Sequence, residues 1–232
     1  MVNSDPLQGK MLYAFGTSVV NGHAAQRSFV EDIAEAHGMP DEKYCINGAT
    51  MRIVPDSDPV IDIVHQVQNA PAAKPDFIVF DGIANDAYDK VTNDPQVLGQ
   101  VTDGYTDPLD PATYCGAFET VCQTLATKYQ GAHILYITTH KTPARTLAAQ
   151  QTLHDVSVTI CQKWSLPVCD IYNESGLNAF LPAYQHDYSY DNTDAHGSNH
   201  AHGGTGTHPN ADGYRLFYDP LITAALTALA DR

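Results

Sequence analysis

The sequence predicts a single three-layer α/β/α domain, in which helices cover both faces of a mostly parallel, five-stranded sheet. Two observations support this fold class: short apolar runs alternate with amphipathic stretches along the chain, and the run at 77–80 is apolar throughout. Such alternation is typical of parallel sheets, and an uninterrupted apolar run is typical of a strand buried on both faces. The 232 residues contain no internal repeat or linker, so we expect one domain over 1–232, with its core at about 10–230.

Five short apolar runs are the expected strands. In chain order they lie at 11–15, 44–46, 77–80, 133–137 and 166–170. Each run is too short for a buried helix and ends in small or polar residues, which favours a strand followed by a loop.

The expected helices begin at recognisable start signals. Ser28 and Glu31 form a capping box for a helix that Gly38 should end. Asp-Pro pairs at 58–59, 110–111 and 219–220 indicate three further starts, and an apolar stripe over 153–164 indicates another helix. The stretches from 81 to about 108 and from 182 to 207 show no regular period, and we expect long loops there.

The charge of the chain argues against polyanionic partners. The formal net charge is −15 and no basic cluster offsets it, so nucleic acid and anionic membranes are not expected to bind. No apolar stretch is long enough for a transmembrane helix, and the first six residues lack the basic and apolar regions of a signal peptide. The chain is therefore either cytoplasmic or a module of a larger protein, with exported and phage proteins among the candidates.

The five cysteines are odd in number and scattered along the chain. Cys115 and Cys122 lie seven residues apart, on one face of an expected helix. This placement is typical of small buried hydrophobic residues rather than of disulfides or metal ligands.

Several chemically suggestive residues follow expected strands. Ser18, Gly48, Asn85 and His140 each come soon after such a strand. In a parallel sheet the carboxyl ends of the strands share one edge, and ligands bind there. His140 either lines that site or is a buried histidine with satisfied hydrogen bonds. A base for the Ser18 hydroxyl is available at the other end of the chain, in His208.

Four short motifs occur in order at fitting intervals. They are Gly16-Thr17-Ser18, Asn47-Gly48-Ala49-Thr50, Gly82-Ile83-Ala84-Asn85-Asp86 and Thr205-Gly206-Thr207-His208-Pro209. Together they resemble the four blocks of the SGNH hydrolases, also called GDSL esterases, over nearly the whole chain. The resemblance implies the flavodoxin-like SGNH hydrolase fold and serine esterase activity without a cofactor or metal.

The resemblance also implies a role for each matching residue. Ser18 would be the nucleophile and His208 the general base. The oxyanion hole would consist of the backbone N–H groups of Ser18 and Gly48 and the side-chain amide of Asn85.

The chain departs from the family pattern at three positions. Thr17 and Ile83 replace an aspartate and a glycine, and Ile83 is expected to narrow the pocket. Thr205 stands where the family places the acid of its triad. His208 would then work in a dyad supported by a backbone carbonyl, or Asp191 or Asp194 would substitute for the acid.

The expected reaction is hydrolysis of a short-chain acyl ester, acetyl foremost, on a carbohydrate. The expected partner is therefore a small-molecule or glycan ester. The alternative is a non-catalytic, glycan-binding module that has lost its acid. Histidines at 186, 196, 200 and 202 allow a metal site, but their irregular, glycine-rich loop argues against one. The acyl chain, the alcohol, the oligomeric state and the pathway stay open.

Overall fold

A computed structural model describes residues 5–57, 60–190 and 203–231. Its five strands form one parallel sheet in the order β2-β1-β3-β4-β5. The strands are β1 Leu12–Phe15, β2 Asp41–Lys43, β3 Phe77–Phe80, β4 His133–Ile137 and β5 Val168–Cys169. Every residue of β1 and β3 is buried, as expected for strands in the middle of a covered sheet.

The helices of the described residues connect these strands and follow the last of them. They are α1 Ser18–Asn21, α2 Phe29–His37, α3 Ile63–Asn69, α4 Asp89–Thr92, α5 Pro95–Leu98, α6 Tyr114–Lys128, α7 Leu147–Lys163, α8 Ile171–Glu174, α9 Pro182–Tyr188, α10 Ala211–Phe217 and α11 Asp219–Ala230.

Side chains alternate between the two faces of the sheet, and different helices bury each face. Tyr13 and Phe15 of β1 join a core cluster with α3, α6 and α7, whereas Leu12 and Ala14 join a second cluster with α2 and α11. The structure therefore confirms the predicted α/β fold with helices on both faces of a five-stranded parallel sheet. The boundaries of a single domain stay a prediction.

Two predicted strands are shifted or shorter in the structure. The second strand was expected at 44–46, but β2 occupies Asp41–Lys43 at the sheet edge, where half-exposed charged residues hide it from an apolar pattern. The chain still follows β1 beyond this point, because the N–H of Tyr44 donates to the Ala14 carbonyl at 2.8 Å. At the other edge, β5 pairs with β4 through Val168 and Cys169 only.

The predicted start of α2 is confirmed, because its capping interactions involve residues close together in the sequence. The capping box of Ser28 and Glu31 and the left-handed Gly38 are present at the two ends of α2. The start predicted at 110–111 is wrong, because Thr113 is the N-cap of α6. Asp62 caps α3, later than predicted, and residues 58–59 lie outside the described residues.

The two predicted loops contain short helices. α4 and α5 interrupt the stretch after β3, and α9 occupies the start of the stretch after residue 181. None of the α9 side chains is buried, so this helix has no apolar period to reveal it.

Cys45, Cys115, Cys122, Cys161 and Cys169 are free, and all but Cys45 are buried. No helix in the described parts of the chain is both long and apolar enough to cross a membrane.

Candidate active site

The strand order places a crevice at the carboxyl ends of β1 and β3. These two strands are neighbours, and the chain leaves them toward opposite faces of the sheet, which is where parallel α/β sheets bind ligands. Ser18 follows β1 directly, and Asn85 lies in the loop that follows β3.

The turn that presents Ser18 is held by a buried carboxyl. Thr17 is the N-cap of α1, and both its backbone N–H and its hydroxyl donate to Asp81, each at 2.7 Å. Burial raises the pKa of Asp81 to about 7, although the two Thr17 bonds oppose that rise. Gly16 has φ 140°, and an added Cβ would collide with the Asp81 carboxyl. The first residues of this single-turn helix therefore stand in a fixed place, with the Ser18 N–H unused by the helix itself.

The structure brings Ser18 and His208 together although 190 residues separate them. Nε2 of His208 lies 3.0 Å from Oγ of Ser18, which is hydrogen-bond distance, and both side chains are buried. The His208 loop is pinned at Gly206, whose N–H donates to the Ser189 hydroxyl and whose carbonyl accepts from Nε2 of His140.

The other nitrogen of His208 lacks a partner among the described residues. Nδ1 is buried there without a hydrogen bond. Thr205, at the family's acid position, is exposed, and its hydroxyl bonds to that of Thr207 instead. Burial, with smaller contributions from the nearby His23 and His140, lowers the pKa of His208 to about 3. The imidazole is therefore neutral near pH 7, as a base must be.

A second histidine covers one face of the His208 ring. The rings of His23 and His208 are parallel within 1°, and their centroids are 3.8 Å apart. His23 follows the left-handed Gly22 at the end of α1 and itself has φ 46°, which non-glycine residues rarely adopt. Sequence reasoning missed His23; its only signal there is its position five residues after Ser18.

Gly48 and Asn85 line the same cavity as Ser18 and His208. Gly48 has φ 82°, and an added Cβ would touch only Ile61 at 3.6 Å, so backbone conformation rather than crowding requires glycine here. The Asn85 amide donates to the Ala49 carbonyl at 2.9 Å. A primary amide has a second N–H, which leaves Asn85 able to donate into the cavity.

Asp86 braces the loop that carries Gly48. Its carboxylate accepts from the N–H of Met51 at 2.5 Å, and the Arg52 guanidinium lies 3.3 Å away. Burial raises the pKa of Asp86 to about 7, against the opposing effects of Met51 and Arg52. Asn85 and Asp86 thus tie the loop after β3 to the loop after β2 at two consecutive residues.

The cavity between these groups has a volume of about 240 Å³. Thr139, Thr142 and Arg145, which follow β4, complete its wall. Nε of Arg145 donates to the Ala84 carbonyl at 2.9 Å, and the guanidinium lies over the Tyr88 ring. Ile83 was expected to narrow the pocket, but this is wrong: its side chain is buried in a core cluster and does not line the cavity.

The other residues that the sequence singled out do not line the cavity or lie outside the described residues. His140 is a buried histidine with both ring nitrogens bonded, to the Tyr218 hydroxyl and the Gly206 carbonyl, and it does not line the cavity. Asp191 and Asp194, proposed as substitute acids, lie outside the described residues, as do the histidines at 196, 200 and 202. Within the described residues no cluster of three or more metal-binding side chains occurs.

Comparisons with known proteins were made for the whole chain. No protein-family model and no curated protein matches it. Solved structures do. One from Lactobacillus plantarum has a TM-score of 0.71 at 20% identity and covers 97% of both chains. A lipolytic G-D-S-L family protein from Veillonella parvula has a TM-score of 0.52 at 14% identity, covering 94% of this chain and 96% of its own.

A third match is a carbohydrate esterase family 2 enzyme with a carbohydrate-binding domain from Myceliophthora fergusii. Its TM-score is 0.60 at 15% identity, and the alignment covers 99% of this chain and 68% of that one. At such identities the matches establish the fold. The chain has the flavodoxin-like α/β fold of the SGNH hydrolases, and at that level the resemblance drawn from the four motifs is confirmed.

Proposed function

We propose that this chain is a serine esterase of the SGNH kind, which hydrolyses short-chain acyl esters, acetyl foremost, on a carbohydrate. The observation that carries the proposal is the 3.0 Å contact between Ser18 Oγ and His208 Nε2. A nucleophile and a base at this distance, beside a cavity lined by Gly48 and Asn85, form the arrangement that acyl transfer requires.

The reaction proceeds in two halves. Ser18 Oγ attacks the ester carbonyl while its proton passes to Nε2 of His208, and the carbonyl oxygen becomes an oxyanion. The N–H groups of Ser18 and Gly48 and the Asn85 amide stabilise that charge. The imidazolium then protonates the leaving alcohol oxygen as its bond to carbon breaks. In the second half, water attacks the acyl carbon while its proton passes to Nε2. The bond between that carbon and Oγ then breaks, Oγ takes the proton back from Nε2, and the carboxylic acid leaves.

The substrate class follows from the size and charge of the site. A cavity of about 240 Å³ is small for a ligand pocket and suits an acetyl group better than a long acyl chain. The net charge of −15 disfavours polyanions and anionic lipid surfaces, and a neutral sugar ester avoids this repulsion. The carbohydrate esterase named among the matched structures supports the same class.

A second candidate is a non-catalytic, glycan-binding module of the same fold. One observation favours it: Nδ1 of His208 has no carboxylate partner in the described part of the chain, and Thr205 occupies the acid position. In serine proteases, loss of that acid lowers the rate about ten-thousandfold.

Hydrolysis of p-nitrophenyl acetate by the wild type and by Ser18→Ala separates the two candidates. We expect turnover by the wild type, loss of at least about a thousandfold in Ser18→Ala, and fluorophosphonate labelling at Ser18 only in the wild type. A wild type that neither turns over nor is labelled but binds acetylated glycans supports the binding module. Equal rates in both proteins contradict the assignment of Ser18.

A further inference from the structure

The base of the proposed reaction needs an orienting contact that its hydrogen bonds do not provide. His208 has one described side-chain bond, to Ser18, and that bond changes during the reaction. A ring held at one nitrogen can rotate about its bond to the backbone. In a triad the acid prevents this rotation through the other nitrogen, which here has no described partner.

The parallel ring of His23 restricts that rotation in another way. With the centroids 3.8 Å apart and the planes parallel within 1°, any tilt of His208 toward His23 brings the two rings into collision. The stack is itself held in place, because the Tyr190 hydroxyl donates to the carbonyl of Gly22, the residue before His23, at 2.9 Å. Tyr190 also lies against His208, with ring centroids 6.1 Å apart.

We propose that His23 is a positioning residue for His208, and that its stacked ring orients the imidazole as the acid does in a triad. The proposal rests on the proposed function, because it assigns a role only if His208 is the base. It also has an electrostatic consequence. When His208 takes the Ser18 proton, a neutral His23 ring presents its π face to the imidazolium, whereas a protonated His23 repels it.

Two substitutions separate the stacked ring from other roles of His23. His23→Phe keeps a flat ring and removes the nitrogen atoms, and His23→Ala removes the ring. We expect His23→Ala to lower kcat on p-nitrophenyl acetate about ten- to a hundredfold, because the base is misplaced. The change in KM should be smaller, because His23 is one of several residues that line the cavity. His23→Phe should keep kcat within about threefold of the wild type. His65→Ala, at a half-exposed histidine on α3, is the matched control and should behave as the wild type.

The pH profile is a readout that a merely structural role would not change. Among the described residues, the charged or titratable groups facing His208 are His23, His140 and Tyr190, besides the Ser18 hydroxyl. Loss of the His23 charge should raise the pKa of His208, so the acidic limb of kcat in His23→Phe should move to higher pH than in the wild type. The rate of fluorophosphonate labelling of Ser18 should follow the same order as kcat.

The outcomes are distinct. A wild-type kcat in His23→Ala overturns the proposal, as do equal losses in His23→Ala and His23→Phe. A wild-type kcat in His23→Ala together with a large loss in Asp191→Asn or Asp194→Asn assigns the orientation to an acid instead. Full activity of Ser18→Ala refutes the proposed function, and an inactive Ser18→Ala beside an unaffected His23→Ala refutes this inference alone.

Discussion

Asn85 both holds a loop and lines the candidate active site. It donates to the Ala49 carbonyl and so holds the Gly48 loop, and it lines the cavity where the oxyanion would form. In the proposed mechanism Asn85 is an oxyanion donor, so Asn85→Ala should lower kcat on p-nitrophenyl acetate about a hundred- to a thousandfold. Steady-state kinetics measure the effect, and circular dichroism confirms that the variant is folded.

Two variants test whether donation to the oxyanion, rather than the Ala49 bond, is responsible. Asn85→Asp keeps the side-chain size but places a carboxylate near the developing negative charge, so we expect it to be at least as inactive as Asn85→Ala. Asn173→Ala, at an asparagine bonded to Asp170 and outside the cavity lining, should retain activity. An Asn85→Ala variant within threefold of the wild type would remove Asn85 from the proposed mechanism.

The sequence could predict the meeting of four site residues but not the environment of the base. Ser18, Gly48 and Asn85 each follow a strand, and parallel strands bring such residues to one edge. The contact of His23 with His208 depends instead on an unusual φ of 46° and on a ring stack between distant segments. No periodicity or spacing in the sequence reports such a contact.

At the scale of elements, α3 holds the turn between β1 and α1 through one side chain. The amide of Gln66 pairs with both backbone groups of Gly16: Oε1 accepts from the Gly16 N–H at 2.8 Å, and Nε2 donates to its carbonyl at 3.0 Å. Gln66→Leu should leave the buried Gly16 N–H unpaired, whereas the Gly16 carbonyl keeps its bond from the Ile46 N–H at 3.2 Å. The free energy of unfolding should therefore fall by about 1–3 kcal/mol. Urea unfolding at one pH measures this loss.

The neighbouring Gln68 provides the matched control for this prediction. It lies on the same helix and is exposed, so Gln68→Leu should change the free energy of unfolding by less than about 0.5 kcal/mol. Because Gly16 leads directly to Ser18, Gln66→Leu should also lower kcat more than Gln68→Leu does. Equal stabilities of the two variants would show that the Gly16 N–H finds another partner.

The sequence predicted the elements that bury a run of apolar residues or carry a start signal, and it did not predict those with mostly exposed side chains. β3, β4 and α11 lie where the apolar runs and the Asp-Pro signal indicate, because each buries most of its length or carries its own start signal. β2 and α9 have no buried side chain, although Tyr184 and Tyr188 of α9 pack against a core cluster, so tertiary pairing rather than a hydrophobic pattern determines these two elements.

At the scale of the whole molecule, the candidate site is built from the N-terminal and C-terminal parts of the chain. β1 is a central strand and borders the crevice between β1 and β3. By contrast, α10 and α11 follow the last strand and pack on the same face of the sheet as α2. The Tyr214 hydroxyl of α10 donates to the carbonyl of Val19, the residue after Ser18, at 2.7 Å. This bond anchors α10 to the first turn of α1. Because His208 lies just before α10, the bond also helps to hold His208 near Ser18.

Buried titratable groups give the whole protein an unusual dependence of stability on pH. Burial raises the pKa values of Asp81, Asp86 and Asp219 to about 7, so the folded protein holds protons that the unfolded chain releases near pH 4. Between these pH values the native state binds more protons, and stability falls as pH rises. Burial lowers the pKa values of His140 and His208 to about 4 and 3, so from there up to about pH 6.5 the unfolded chain binds more protons at these residues. Their contribution to stability therefore rises with pH over that range.

Asp81→Asn isolates the contribution of one carboxyl. Asparagine presents the N–H donor that replaces the O–H of the protonated acid, so it resembles the form of Asp81 that the fold favours. Relative to the wild type, this variant should therefore gain stability as pH rises from 4 to 8, by up to about 4 kcal/mol, since each pKa unit corresponds to about 1.4 kcal/mol. Urea unfolding of both proteins at pH 5, 6.5 and 8 measures the difference. Asp103→Asn, at an exposed carboxyl, controls for the removal of a surface charge and should differ from the wild type by less than about 0.5 kcal/mol at each pH. A constant difference for Asp81→Asn would mean that Asp81 is ionised throughout, held as a carboxylate by its two bonds from Thr17.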